Sequence, residues 1–255
     1  MRINPKKSLG QNFLIDKNIV KKIIEALSLS PADTILEIGS GKGEITSLIA
    51  SRVNKIYALE LDVRLKDILE EELKGNDNAQ VIIQDILKLD LDKLLASKDK
   101  IKVFGNIPYY ISSPIIEYLI RHRRRIEKAF ITVQKEFAKR VVASPGSKDY
   151  GSLSFFVQYY CLPEIVFHIN KGCFYPVPKV DSSLLSLSFR AQPAVYVKDE
   201  ELFFSLIRSA FNQRRKTLKN SLKGIANTEE IGDFINHRPE DLSLEDFASL
   251  ANRIA

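Results

Sequence analysis

The 255-residue chain has few of the residues that build disulfide frameworks and metal sites. It contains two cysteines, Cys161 and Cys173, and three histidines, and none of them stands at a metal-ligand spacing. A zinc site is therefore not expected, and both thiols are expected to be reduced. No apolar run approaches the roughly 18 residues of a membrane span, and no apolar signal region follows the charged N-terminus. These absences predict a cytoplasmic protein without a bound metal.

The composition indicates a folded protein with a modest basic excess. The chain has 38 Lys and Arg against 32 Asp and Glu, a net charge of +6, and 45% of its residues are apolar. This balance supports a packed core and excludes collagen and coiled coils, and a basic surface is weak evidence for a polyanionic partner. No sustained apolar surface repeat suggests an obligate interface, so the expectation is a monomer.

Short apolar stretches alternate with amphipathic ones along the first half of the chain. This alternation predicts βαβ units and a mostly parallel sheet. Two later aromatic or β-favouring stretches, Leu153–Tyr160 and Ser183–Phe189, are predicted to pair as antiparallel strands at a sheet edge. The segments predicted as strands of the parallel part are Thr34–Ile38, Lys55–Glu60, Gln80–Gln84, Lys102–Gly105 and Ala129–Val133.

The pattern changes near Lys198, where apolar residues begin to recur at helical spacing. We therefore predict two domains, an α/β domain over residues 1–192 and a small helical domain over residues 193–255. A further short helix is expected after Ser243.

A glycine-rich turn follows the first of the parallel strands. Gly39, Gly41 and Gly43 have the spacing G-x-G-x-G, and the Lys-Ser/Thr of a phosphate-binding loop is missing. Glu60 ends the next strand, where a carboxylate can accept hydrogen bonds from both hydroxyls of a ribose. A turn without a phosphate anchor suits S-adenosylmethionine, whose positive sulfonium would meet an acidic wall formed by Glu37 and Glu60. A tight turn with an ordinary surface glutamate is the alternative.

Asp85 follows the third strand and has two possible roles. Its carboxylate can receive the amino group of an adenine, or it can cap the short helix that begins at Ile86. The two roles are compatible.

The most specific motif is Gly105-Asn106-Ile107-Pro108-Tyr109-Tyr110, which follows the fourth strand. An exocyclic amine of a nucleobase is a poor nucleophile because its lone pair is delocalised into the ring. The Asn106 side-chain oxygen and the carbonyl of Ile107 or Pro108 can draw the amine hydrogens out of the ring plane. Tyr109 can stack on a flipped base, and positioning supplies most of the catalysis. A proline turn beside a core tyrosine is the alternative.

Several ordered segments together resemble one family, the ribosomal RNA adenine N6,N6-dimethyltransferases, and the resemblance covers almost the whole chain. The segments are Gly10–Leu14, Glu37–Gly43, Asn106–Tyr109, Tyr150–Ser154, Phe174–Ser182 and Phe211–Leu218.

The resemblance implies a Rossmann-like methyltransferase fold with a mostly parallel seven-stranded sheet, an antiparallel edge and a small C-terminal helical domain. It also implies dimethylation of two adjacent adenines near the 3′ end of small-subunit ribosomal RNA, in free RNA or in a pre-30S particle. The residues that would line the S-adenosylmethionine site are Asn12, Leu14, Gly39, Gly41, Glu60, Asp85 and Asn106. Asn106 and Pro108 would present the amine, and Tyr109 and Phe174 would sandwich the adenine. Tyr110 stands where the family usually has Asn, and we expect it to alter packing under the loop.

Two basic clusters are candidates for contact with RNA phosphates. One is the run Arg121–Arg125, with Arg121, Arg123 and Arg124 as the predicted contacts, and the other is Arg214, Arg215 and Lys216. A charge run is more often a solvated helix face. The basic residues are segregated from the acidic stretch that follows at 229–246, which favours the RNA hypothesis, although some arginines could pair with that stretch.

Three other functions stay open at this point. A large-subunit RNA adenine methyltransferase of the macrolide-resistance type shares the Asn106–Tyr109 loop. An NAD-dependent oxidoreductase has a similar sheet, but the glycine spacing and the lack of a hydride-relay group count against it. A non-catalytic ribosome-assembly factor could retain the fold, although its motif residues would then have no use.

Overall fold

The computed structural model describes residues 4–95 and 100–255. Their strands are β1 (Phe13–Leu14), β2 (Thr34–Ile38), β3 (Lys55–Glu60), β4 (Ala79–Ile83), β5 (Ile101–Asn106), β6 (Ile126–Gln134), β7 (Cys161–Ile169), β8 (Phe174–Tyr175) and β9 (Ser182–Phe189). The helices are α1 (Lys17–Ala26), α2 (Glu44–Ala50), α3 (Lys66–Glu72), α4 (Leu91–Leu94), α5 (Ser112–Arg121), α6 (Lys135–Val142), α7 (Ser152–Tyr160), α8 (Glu200–Asn212), α9 (Leu218–Ser221), α10 (Thr228–Ile231) and α11 (Leu244–Ile254).

Among the described residues, seven strands form one sheet in the order β4-β3-β2-β5-β6-β9-β7. The pairs β4-β3, β3-β2, β2-β5 and β5-β6 are parallel. The five strands predicted for the parallel part are therefore present, with ends that differ from the predicted ends by three residues or fewer. The α/β fold class predicted from the alternating pattern is confirmed.

The chain reverses its direction across the sheet between β2 and β5. It runs outward from β2 through β3 to β4 and then returns to place β5 on the other side of β2. Such a switch point opens a crevice at the carboxyl ends of the two central strands, where open α/β sheets bind ligands. Gly39 follows β2 and Asn106 ends β5, so both motifs lie at this crevice.

The central strands are apolar on both faces because the sheet is covered on both sides. Apart from its first residue, every residue of β2 and of β3 is buried, which is typical of parallel strands under helices. Ile23 of α1, Ile49 of α2 and Phe104 of β5 belong to one hydrophobic cluster. Glu37 and Glu60 are buried on these same strands, and both face the crevice region rather than this cluster.

The antiparallel part of the sheet differs from the prediction in one strand. β9 does run antiparallel to β6, with Ser182 beside Gln134. However, the segment predicted as its partner, Leu153–Tyr160, is helical and forms α7, and β7 occupies the edge instead. The strand prediction for this segment was wrong.

Aromatic packing explains why α7 is helical despite its β-favouring composition. Phe155 and Tyr159 are four residues apart and share a helix face, and both are buried. Phe155 packs at a ring-centroid distance of 5.0 Å from Phe247 of α11, and Tyr159 at 5.2 Å from Phe203 of α8. Burial of large rings against other helices outweighs β propensity, which depends strongly on context.

Contacts divide the chain into two compact units. The first holds the described residues up to Ala138 together with Glu164–Phe189, and the second holds Lys139–Pro163 together with Arg190–Ala255. The predicted boundary after residue 192 lies close to the division between Phe189 and Arg190. The segment 139–163, which the prediction gave to the α/β domain, belongs to the helical unit because α7 packs on α8.

No helix within residues 4–95 and 100–255 is both long and apolar enough to span a membrane.

Candidate active site

Two adjoining cavities lie in the first unit at the carboxyl ends of the parallel strands. Four residues, Phe13, Gly39, Gly41 and Asn106, line both of them. The first cavity has a volume of about 810 Å³ including its open mouth, and the second about 580 Å³. Every predicted cofactor residue except Leu14 lines the first cavity, and Leu14 lines the second.

The glycine-rich turn brings the backbone close to both cavities. Gly39 has φ +77°, and a Cβ at this position would lie 3.5 Å from the Asn106 carbonyl oxygen. Gly41 has φ +60°, and a Cβ there would lie 3.2 Å from the Phe13 ring. Residues with a side chain rarely adopt these φ values. The glycines therefore allow the turn to lie close to β5 and to the N-terminal segment around Phe13.

Glu60 organises the turn through its carboxylate. Oε2 accepts from Gly41 N at 2.8 Å, and Oε1 accepts from Leu61 N and Asp62 N, each at 2.8 Å. A carboxylate offers about four acceptor positions, so one remains. While the turn is intact, Glu60 can therefore accept from one ribose hydroxyl, rather than from both as the sequence suggested.

The N-terminal segment forms one wall of the first cavity and is tied to the loop after β3. Gln11 Nε2 donates to Asp62 Oδ2 at 2.9 Å, and Arg64 donates to both oxygens of Asp62 at 2.9 and 2.6 Å. The Arg64 hydrogen bonds are the main reason why the pKa of Asp62 falls to about 2. The ionised carboxylate thus anchors the segment, a role that sequence reasoning missed because Asp62 belongs to no motif.

The N-terminal segment also orients the side-chain amide of Asn106. Its Nδ2 donates to the Asn12 carbonyl at 3.0 Å, so its Oδ1 is the atom directed elsewhere. The side chain is half-buried and lines both cavities. Pro108 O accepts from Ile111 N at 3.2 Å, whereas no described group donates to the Ile107 carbonyl. Asn106 Oδ1 and Ile107 O are therefore the two acceptors with no donor among the described residues, and Pro108 O keeps one free lone pair.

The two tyrosines of the motif have different surroundings. Tyr109 is half-buried, lines the first cavity and shares a hydrogen bond of 2.5 Å with Ser182 Oγ. Tyr110 is 62% exposed, and a Cβ at Gly10 would lie 3.1 Å from its ring. Tyr110 therefore lies against the N-terminal segment and also lines the first cavity. The expectation that it alters packing under the loop stays a prediction.

Phe174 is not at the cavity walls. It is 1% exposed and belongs to the same hydrophobic cluster as Ile23 and Phe104. Its strand, β8, pairs with β1, and Phe174 stands opposite Leu14. Strand alternation turns Phe174 inward, and its stacking on the target base stays a prediction. Tyr175, its neighbour, is 57% exposed and lines the second cavity.

Asp85 serves as a helix cap, as one of its two interpretations expected. Its Oδ1 accepts from Leu87 N at 3.0 Å, at the start of the short 3₁₀ helix Ile86–Lys88. The residue is half-buried and lines the first cavity. Contact with an adenine amino group stays a prediction.

The basic run Arg121–Arg125 lies at the opposite edge of the sheet. It joins the end of α5 to the start of β6, and Ile126 pairs with Ile101 at the amino end of β5. Five residues of β5 separate this edge from Asn106, which is about 16 Å along a strand. The structure does not bring Arg121, Arg123 and Arg124 to the cavities.

In the second unit, the Arg214 side chain forms hydrogen bonds and an ion pair with other residues of the chain. Its Nη2 donates to the carbonyls of Lys148 and Tyr150 at 3.0 and 2.9 Å, and its Nε lies 3.7 Å from Glu240. Pairing with the acidic C-terminal stretch, which the sequence left open, is therefore confirmed for this arginine. Arg215 and Lys216 are exposed.

Comparison with known proteins identifies the family. Residues 2–255 match the family model described as ribosomal RNA adenine dimethylase. The chain belongs to the ribosomal RNA adenine dimethylase family.

Two relatives within this family are named ribosomal RNA small subunit methyltransferase A. The protein of Clostridium botulinum (strain Loch Maree / Type A3) is 43% identical over 97% of this chain and 93% of its own length. That of Moorella thermoacetica is 42% identical over 98% of this chain and 92% of its own length. The expected enzyme class, a ribosomal RNA adenine dimethyltransferase, is confirmed, and an NAD-dependent oxidoreductase is excluded.

Two solved structures are also similar. The dimethyladenosine transferase of Plasmodium falciparum is 27% identical, with a TM-score of 0.81 over 93% of this chain and 95% of its own. The 23S rRNA methyltransferase ErmE is 27% identical, with a TM-score of 0.72 over 95% of this chain and 99% of its own. The methyl donor of this dimethylase is S-adenosylmethionine, as predicted.

The residues at the cavities fit a cationic methyl donor. Glu37 is 2% exposed and lines the second cavity, and its Oε2 has no hydrogen-bond partner among the described residues. Burial, with a smaller contribution from Glu60, raises the pKa of Glu37 to about 8. Burial of an ionised carboxylate costs less free energy when a positive group lies beside it. S-adenosylmethionine supplies a methyl group on a positively charged sulfur, and Glu37 and Glu60 provide acidic surroundings for it.

Binding of S-adenosylmethionine is expected to release a proton from Glu37. At pH 6.5 the side chain is mostly protonated, because this pH lies below its pKa of about 8. A bound cation favours the ionised form and lowers that pKa, so affinity should rise with pH and level off above pH 8. Calorimetry at pH 6.5 in buffers of different ionisation enthalpy measures the protons released. Wild type should release more protons than Glu37→Gln, and equal release by the two proteins would contradict the prediction.

No group of three or more His, Cys, Asp or Glu within the described part of the chain could hold a metal ion.

Proposed function

We propose that this chain dimethylates the N6 amines of two adjacent adenines in a hairpin loop near the 3′ end of small-subunit ribosomal RNA. The observation that carries this proposal is the geometry of Asn106, which lines both cavities and whose Nδ2 is held by the Asn12 carbonyl, so that Oδ1 is left to accept from a substrate. The small-subunit assignment is supported by the names of the relatives that are 42–43% identical.

The first cavity would hold the adenosine part of S-adenosylmethionine. Glu60 would accept from one ribose hydroxyl, and Asp85 would receive the adenine amino group, since both line this cavity. The N-terminal residues Gln11 and Asn12 would cover the donor, held there by Asp62. Leu14 and Glu37 line the second cavity, on the other side of the shared wall.

The target adenine would meet Asn106 and Ile107 through its amine. Asn106 Oδ1 and Ile107 O accept its two N–H groups and draw them out of the ring plane, so that the nitrogen lone pair is no longer shared with the ring. Pro108 keeps the turn extended, with φ −60° and ψ 135°, and Tyr109 offers its ring to the base.

The nucleophile is the substrate nitrogen itself. Its lone pair forms the new N–C bond as the S–C bond breaks, and the electron pair of that bond stays on sulfur. The methylated nitrogen then carries a positive charge and loses a proton to water. No protein base is required, because this proton becomes strongly acidic once the bond has formed. A second transfer needs the monomethylated amine to rotate and present its remaining hydrogen.

Phosphate contacts are proposed for Arg215 and Lys216, which are exposed in the helical unit. Arg214 would support them indirectly by holding the 148–150 segment. Arg121, Arg123 and Arg124 lie at the amino edge of the sheet, so any RNA phosphates they bind would be distant from the cavities.

The experiment that tests the function is methylation of small-subunit RNA and of pre-30S particles in vitro, read by mass spectrometry of the digested RNA. The expected product is N6,N6-dimethyladenosine at two adjacent positions. Methylation of large-subunit RNA alone would favour the macrolide-resistance type instead. Full complementation of a deletion strain by Asn106→Ala would favour a non-catalytic assembly factor.

Action on ribosomal RNA precursors would place the protein in the cytoplasm, where ribosomes assemble. The monomeric state stays a prediction.

A further inference from the structure

Ser182 lies at the active-site edge because of the direction of its strand. β9 runs antiparallel to β6, so β9 begins at the edge where the parallel strands end. Ser182 is the first residue of β9 and stands opposite Gln134, the last residue of β6. The amino end of β9 therefore lies at the edge where the parallel strands have their carboxyl ends.

Tyr109 reaches this strand from two strands away. Tyr109 follows β5, and β6 lies between β5 and β9, so the separation is about 10 Å at the usual strand spacing. The Tyr109 Oη lies 2.5 Å from Ser182 Oγ, a short hydrogen bond in which either hydroxyl can donate. The ring is therefore held at both ends, by its own backbone turn and by a side chain 73 residues away.

Ser182 is itself held rigidly. It is fully buried, and the preceding residue, Asp181, is bonded from two sides. The Asp181 carbonyl accepts from Lys135 N at 3.0 Å, and its Oδ1 accepts from Lys171 N at 3.0 Å. A hydroxyl held in this way can fix the position of the group to which it is hydrogen-bonded, because it does not move with that group.

We propose that Ser182 is a positioning residue whose hydroxyl fixes the direction of the long axis of the Tyr109 ring, and thereby the tilt of the adenine that stacks on it. The inference rests on the proposed function, because it needs a base beside Tyr109. The tilt matters most for the second transfer, when a monomethylated amine must present its one remaining hydrogen to Asn106 or Ile107. Loss of the hydroxyl should therefore favour release of monomethylated RNA.

The test compares Ser182→Ala with Ser183→Ala. Ser183 is the matched control, since it is adjacent, equally buried, and bonded through Oγ to His168 Nδ1 at 2.8 Å instead of to Tyr109. For Ser182→Ala we expect a roughly 3- to 10-fold slower single-turnover transfer, the size expected for one lost hydrogen bond. RNA affinity should change less than 2-fold, and the ratio of monomethyl to dimethyl product should rise. Ser183→Ala should keep the wild-type rate and ratio.

Tyr109→Phe removes the same hydrogen bond from the other side and keeps the ring. It should reproduce the rate and product ratio of Ser182→Ala, and the double variant should be no slower than either single variant. Additive effects would overturn the inference, as would a wild-type product ratio in Ser182→Ala. If Ser182→Ala does not fold, Tyr109→Phe decides the question alone, by the same rate and product ratio.

A measurement on the free protein separates this inference from the proposed function. With 3-fluorotyrosine incorporated, the ¹⁹F signal assigned to Tyr109 reports how tightly its ring is held. The signal should change in Ser182→Ala but not in Ser183→Ala, whatever the RNA substrate is. An unchanged signal in Ser182→Ala would refute the positioning role even if small-subunit RNA proves to be the substrate. Failure of wild type to methylate that RNA would instead count against the proposed function.

Discussion

Asn106→Ala is expected to slow methyl transfer by about 10²–10³-fold, the usual effect of removing one prearranged group that acts on the reacting atoms. The variant loses Oδ1, one of the two acceptors that draw the amine hydrogens out of plane. It also loses the Nδ2 bond to the Asn12 carbonyl, which measures 3.0 Å. Single-turnover incorporation of labelled methyl groups into small-subunit RNA measures the chemical step separately from product release.

The affinity of Asn106→Ala for S-adenosylmethionine should fall less than its rate, because the other walls of the first cavity are unchanged. Asn76→Ala is the matched control: Asn76 is a half-buried amide in the turn after α3, bonded to the Leu73 carbonyl, and it lines neither cavity. It should keep the wild-type rate. More than a tenth of the wild-type rate in Asn106→Ala would contradict the proposed presentation of the amine.

Glu60→Ala is expected to weaken S-adenosylmethionine binding by about 100-fold or more, which corresponds to roughly 2.7 kcal/mol. The carboxylate accepts from the backbone N–H groups of Gly41, Leu61 and Asp62. Without it, these groups lose their partners and the glycine turn loses one of its links to β3, while Gly39 N and Ser40 N still donate to the Leu59 carbonyl. The free energy of unfolding should fall by about 2–4 kcal/mol, since each unsatisfied donor costs about 1–3 kcal/mol and part of the loss is recovered by water.

Isothermal calorimetry measures the donor affinity of Glu60→Ala, and urea unfolding measures its stability. Glu71→Ala is the control for loss of a carboxylate, because Glu71 is 75% exposed and makes a surface ion pair with Lys74. Such pairs contribute little, so both quantities should stay near wild type. Unchanged stability in Glu60→Ala would show that the turn does not depend on this carboxylate.

The parts of the site that could be predicted from sequence are local. The turn Gly39–Gly43 and the motif Asn106–Tyr109 each follow an apolar strand within a few residues, so strand, turn and functional group are encoded together. The alternation of strands and helices then places both motifs at the same edge of a parallel sheet. The family resemblance drawn from six such segments was confirmed by the comparison with known proteins.

The wrong strand prediction and the placements that the sequence did not indicate concern residues whose surroundings come from elsewhere in the chain. α7 is rich in β-favouring residues, and only its packing on Phe203 and Phe247 makes it helical. Phe174 pairs with Leu14, which turns its ring into the core, and its contact with the target base stays a prediction. The basic run Arg121–Arg125 looked equivalent to Arg214–Lys216 in sequence, and only the direction of β6 puts it at the opposite edge from the cavities. Its contact with RNA stays a prediction.

By itself, the sequence determined the alternating α/β pattern, the positive-φ glycine turn and the chemistry of the motif, because each depends on residues close together in the chain. Only the tertiary structure decided which of these groups meet. Asp62 anchors Gln11 from 51 residues away, and Ser182 reaches Tyr109 from the strand that runs against its neighbour. Contacts of this kind depend on strand order and direction, which no local pattern of residues encodes.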